Sequence, residues 1–175
     1  MQTIKIKLQS QFMSALANRF LVLGIFSMAF GFLESSVVVY LREIYYPEGF
    51  DFPMVPIDKD IGITEFFREL ATMIMLLTAG LITGKNGPQK FGFFLYTFAV
   101  WDIFYYIWLK AILGWPPSLL TPDILFLVPA PWVGPVITPI LIALEMIALS
   151  VVLAKLNPHE TRIPLSLRDW SILIT

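Results

Sequence analysis

Between Phe91 and Leu113 the chain carries only two charged residues, Asp102 and Lys110. A helix needs about 20 predominantly apolar residues to cross the hydrocarbon core of a bilayer, and this run is long enough. A carboxylate near the middle of such a run is costly in lipid. It therefore faces a bundle interior or a water-filled cavity and takes a partner there.

Composition argues the same way. The chain is 57% hydrophobic and 14% charged over 175 residues. Soluble domains average about 45–50% apolar and about 25% charged residues. A soluble protein this small has too little interior to hide that much apolar surface, so lipid must solvate most of it. The net charge of −1 gives no argument for nucleic acid. The chain has no cysteine and one histidine, His159 near the C-terminus. Disulfides, thiolate metal sites, Fe–S clusters and bis-histidine haem ligated by this chain are thereby excluded. A quinone, a lipid or a hard cation held by oxygens remains compatible.

Three further runs resemble the first in length. The sequence predicts an all-α integral membrane protein, an antiparallel bundle of four spans at about 19–43, 62–84, 91–113 and 136–154. Residues 1–18, with Lys5 and Lys7 among apolar residues, read as an interfacial segment before the first span. No small-residue cleavage site follows them, so a secretory signal is not expected. Gly24, Ser27, Gly31 and Ser35 recur at helical spacing in span one, a stripe where another backbone can approach closely. Glu65, Glu69, Thr72, Ala79 and Thr83 form a stripe on span two, with Arg68 one turn from Glu65. Asp102, Tyr105, Tyr106 and Leu109 share a face of span three.

Residues 47–61 hold four acids and three prolines and read as an extramembrane loop. Seven of the thirteen prolines fall in 114–139. That segment is expected to lie on the non-cytoplasmic membrane surface or to dip in as a re-entrant loop, with Ile124–Val128 as a strand-like or single-turn piece. The tail, 156–175, reads as cytoplasmic or interfacial. Eight of the twelve basic residues fall on the side of the termini and the 85–90 turn. The positive-inside rule puts that side in the cytoplasm of a bacterial inner membrane.

Each predicted span carries an acid at comparable depth: Glu34, Glu69, Asp102 and Glu145. These are the candidate proton or ion sites. Glu65, Arg68, Arg42, Lys110, Tyr105 and Tyr106 are the supporting charges and hydrogen-bond donors. The acids serve as ties between helices, as a proton or cation path, or as ligands to a hard metal ion. No phosphate loop, nucleophile elbow or HExxH motif is present, so nothing in the motifs argues for an enzyme. The leading expectation is a small subunit of a larger, energy-transducing bacterial membrane complex. It would be in contact with lipid and with other membrane subunits or further copies of itself. A proton- or cation-coupled transporter or channel is the second expectation, and a carboxylate-ligated membrane metalloenzyme the third.

Overall fold

The structure, a computed structural model, describes residues 2–50, 55–126 and 132–156. Its elements are α1 (Gln2–Tyr45), α2 (Lys59–Thr83), α3 (Gly87–Leu113), β1 (Pro122–Phe126), β2 (Trp132–Pro135) and α4 (Ile137–Lys155). The tail with His159, Arg162 and Arg168 lies outside the described residues.

Capping chemistry explains where the helices depart from the predicted spans. The Asp58 side chain accepts hydrogen bonds from the N–H of Asp60 at 2.9 Å and of Ile61 at 3.5 Å. That satisfies donors a helix start leaves orphaned, and α2 begins at Lys59, inside the predicted loop. Asn86 caps α3 in the same way through Gln89 N–H at 2.9 Å, with Pro88 in the first turn. At the far end Gly114 adopts φ 67°, a left-handed conformation that costs glycine little, and stops α3. In α1 no break separates residues 2–18 from the apolar run, so one helix extends through both. Leu16, placed by sequence in the interfacial segment, is buried against Leu23, Phe93 and Ala154.

Four helices are long and apolar enough to cross a membrane: Gln9–Tyr45, Lys59–Thr83, Gly87–Leu113 and Ile137–Lys155. Their outward faces are apolar, Ile82 being 85% exposed, with Leu21, Phe67 and Val152 also exposed.

Helix α3 packs extensively against each of the other three. Small residues make this approach close. A Cβ on Gly31 of α1 would stand 2.9 Å from the Trp101 carbonyl oxygen, and one on Gly80 of α2 would stand 2.6 Å from Phe94 N. Gly92 of α3 lies likewise against Leu153 and Ser150 of α4. Gly24, Ser27, Gly31 and Ser35, the small-residue stripe, are all buried. Polar ties accompany the contacts. Ser35 Oγ donates to the Tyr105 carbonyl at 3.0 Å, Thr97 Oγ1 to the Leu76 carbonyl at 3.3 Å, and Gln89 Nε2 to the Ala154 carbonyl at 3.2 Å. Hydrogen bonds of this kind hold helices together where hydrophobic association is weak.

The interior is layered along the helices. Leu16, Leu23, Phe93 and Ala154 fill the layer at the middle of α1, the start of α3 and the end of α4. Phe30, Leu76 and Trp101, with Phe94 and Phe98 against them, fill the next. Beyond Trp101 the interior turns polar. The proline-rich segment reaches that end as an antiparallel hairpin, with Asp123 opposite Gly134 and a register shift between Ile124 and Phe126. Its predicted strand-like piece is thus Pro122–Phe126, and residues 127–131 are outside the described residues. Backbone bonds from Val136 N to the Thr121 carbonyl and from Ile137 N to the Leu119 carbonyl join the hairpin to α4.

Candidate functional site

A cavity of about 420 Å³ occupies the end where α1 stops, α2 starts and α3 stops. Five carboxyl groups line it: Glu34, Glu65, Glu69, Asp102 and Asp123. Two guanidinium groups, Arg42 and Arg68, face them. The walls are otherwise mainly apolar, with Tyr45, Tyr46, Phe50, Trp101, Tyr105 and Tyr106 among them. Val55, Pro56 and Ile57 of the α1–α2 connection also line it. Tyrosine hydroxyls hold that connection down: Tyr46 accepts from Val55 N–H at 2.8 Å and Tyr45 from Asp58 N–H at 3.2 Å.

Helical periodicity delivers the acids. Glu65, Glu69, Thr72, Leu76 and Gly80 are the buried residues of α2, one continuous stripe. Arg68 sits beside it and bridges two helices. Its Nη1 donates to Glu34 Oε2 at 2.5 Å, and its Nε and Nη2 both donate to Glu65 Oε1, the former at 2.8 Å. Thr72 Oγ1 adds a bond to Glu34 Oε2 at 3.3 Å. One planar cation thus serves two carboxylates, a task that suits the fork of an arginine better than a lysine.

Arg42 forms a second centre. The residue is buried, only 9% exposed. Its Nη2 donates to Asp123 Oδ1 at 3.4 Å, and Tyr106 OH donates to Asp123 Oδ2 at 3.2 Å. The guanidinium carbon also lies 3.8 Å from the centre of the Trp115 ring and 4.4 Å from that of Phe50. The two rings meet edge to face with centres 6.0 Å apart. Ring faces carry negative charge, so the cation is held in the corner they form as well as at its tip. Burial pushes the Asp123 carboxyl up to about 6, against the opposing pull of Arg42.

Asp102 differs from its neighbours. It lines the cavity and makes no hydrogen bond or ion pair among the described residues. Trp101 beside it is buried, and its indole N–H has no acceptor among the described residues.

The structure therefore brings Glu34, Glu69 and Asp102 to one cavity, together with Glu65, Arg68, Arg42, Tyr105 and Tyr106. Glu145 is not with them: it is exposed on α4 and absent from the cavity lining. Lys110 does not reach Asp102 either. Its Nζ donates to the carbonyls of Gly114 and Pro116, both at 2.9 Å, and so closes the end of α3. Asp123 was missed by sequence reasoning. The available signal was that it is the sole charged residue between Gly114 and Pro139. No group of three or more His, Asp or Glu side chains is placed to hold a metal ion among the described residues. No protein family, curated protein or solved structure matches the chain.

Proposed function

We propose that this protein is a multi-pass membrane protein whose cavity binds a proton or a cation during coupled translocation. The observation that carries the reading is the charge balance of the cavity, five carboxyl groups against two guanidinium groups. Arg68 and Arg42 are already engaged by Glu34, Glu65 and Asp123. An ionised Asp102 among apolar walls then calls for a positive charge, which a proton or a bound cation supplies.

Four apolar helices with apolar outer faces support insertion in a bilayer. Contacts along α3 support alternating directions. Gly80 meets Phe94 while Leu76 meets Thr97, so α2 runs against α3; Gly24 meets Tyr96 while Gly31 meets Trp101, so α1 runs with it. The distribution of basic residues supports termini on the cytoplasmic face of a bacterial inner membrane. In that orientation the cavity lies in the outer half, above the layer of Phe30, Leu76 and Trp101. That layer is the barrier an alternating mechanism would have to open.

Reconstituted liposomes test the reading. Under an imposed membrane potential, wild-type protein is expected to carry proton or monovalent-cation flux. Asp102→Asn is expected to fall to the level of empty liposomes, and Glu69→Gln to lower it. Flux unchanged in both variants, or no flux in the wild type, removes the proposal.

A second reading, association with further membrane subunits or copies, is favoured by one observation: the carboxylate of Glu145 lies exposed on an otherwise apolar helix face.

A further inference from the structure

We infer that the cavity takes a small organic monovalent cation, an amine or quaternary ammonium group carrying an apolar body, with Asp102 as its counter-ion. This rests on the cavity being a cation site and adds the chemical class of the cation.

Three features of the cavity narrow that class. At about 420 Å³ it far exceeds the needs of a bare ion. It falls within the roughly 300–1,000 Å³ of small-molecule sites. A dehydrated metal ion requires several converging oxygen ligands at short range. Among the described residues no such group of acidic or histidine side chains exists. An organic cation asks for something else, one carboxylate and several ring faces. Asp102 supplies the first, and Tyr45, Tyr46, Trp101, Tyr105 and Tyr106 surround the same space.

The protein already solves this recognition problem once. Arg42 is an organic cation lying in the corner between the edge-to-face rings of Phe50 and Trp115, with the carboxylate of Asp123 at its tip. Asp102 lines the same cavity as those five aromatic side chains, and no side chain of the described residues provides it with a cation. Anions are disfavoured by the excess of carboxyl groups. A neutral ligand such as a quinone would require Asp102 to be protonated, whereas an organic cation pairs with the ionised carboxylate.

Titration of the purified full chain with three probes sharing a phenyl ring tests the inference: benzyltrimethylammonium, benzyl alcohol and benzenesulfonate, read by calorimetry and by tryptophan fluorescence. Benzyltrimethylammonium is expected to bind saturably, about tenfold or more tighter than either comparator. Asp102→Asn should erase that margin, and Glu43→Gln, on the exposed end of α1, should leave it intact. Equal affinity for all three probes means partition into apolar surface and overturns the inference. So does cation binding that survives Asp102→Asn in a variant that unfolds at the wild-type temperature. Where that variant does not fold, the three-probe series on wild-type protein decides alone. Absence of saturable binding alongside Asp102-dependent proton or sodium flux sinks the organic cation and spares the cation site. Absence of both sinks the two together.

Discussion

Arg68 reaches from α2 across to Glu34 on α1 and back one turn to Glu65. Replacing it with glutamine would leave both carboxylates in the cavity wall without their cation. Stranding one partner of a buried pair costs about 3–5 kcal/mol. Arg68→Gln should therefore destabilise strongly, and Glu34→Gln less, because Arg68 keeps Glu65. In the double variant the losses should not add: a coupling of about 1–3 kcal/mol is expected from unfolding in a detergent series. Coupling near zero would mean that the contact contributes nothing. Half of this arrangement is legible in the chain. Glu65 and Arg68 are three residues apart, so a helix must juxtapose them. Their third partner is 34 residues from Arg68, and only the comparable depth of Glu34 hinted at it. Arg42 and Asp123 are 81 residues apart and gave no hint of each other. Arg42 stands near a helix end, where an interfacial role explains a cation equally well. Asp123 stands in a proline-rich segment whose path no periodicity specifies.

At the scale of elements, α3 receives three helices through positions without side chains. The positional logic was visible in advance for α1, because glycine and serine at helical spacing have a direct packing meaning in lipid. It was visible for α2 as an acidic stripe, which the structure continues through Leu76 into Gly80. Helix starts were less visible: a cap acts through one side chain, and hydropathy averages it away. Gly80 and Gly62 separate packing from propensity. A Cβ at Gly80 would lie 2.6 Å and 2.8 Å from backbone atoms of Phe94, which cannot swing aside. Overpacking of that kind costs about 1–3 kcal/mol. Gly62, in the first turns of α2, has nothing within 4 Å of its virtual Cβ. There alanine gains helix propensity, worth up to about 1 kcal/mol. Gly80→Ala should thus lower the midpoint of thermal unfolding and Gly62→Ala should hold or raise it. The reverse order would contradict the α2–α3 contact.

For the whole molecule the unresolved charge is Glu145. Helix α4 lays Ala143, Ser150, Leu153 and Ala154 into the interior, and Gly92 of α3 receives its end. Its other side shows Leu141, Leu144, Glu145 and Val152, all exposed. Glu145 is eight residues into the helix, about 12 Å along its axis at the usual rise. An acid at the centre of a lipid-facing helix costs about 3 kcal/mol on insertion scales. The sequence placed an acid on each span but could not say which way each one faced, because α4 has too few polar residues to define a stripe. A further helix laid over this face would remove the cost by giving Glu145 a donor, and a second copy or another subunit would serve. The chain alone has a mass of 19.9 kDa. Native mass spectrometry from mild detergent should give a larger particle, reduced to the single chain by Glu145→Lys, whose cation would meet whatever donor the carboxylate had attracted. The absence of native cysteine permits a second measurement, disulfide formation after Val152→Cys. Cross-linked dimers would identify the partner as a second copy, and a particle mass that is not a multiple of the single chain would identify a different chain. A wild-type protein that flies as one chain, with nothing bound, would leave Glu145 to lipid and end the case for assembly.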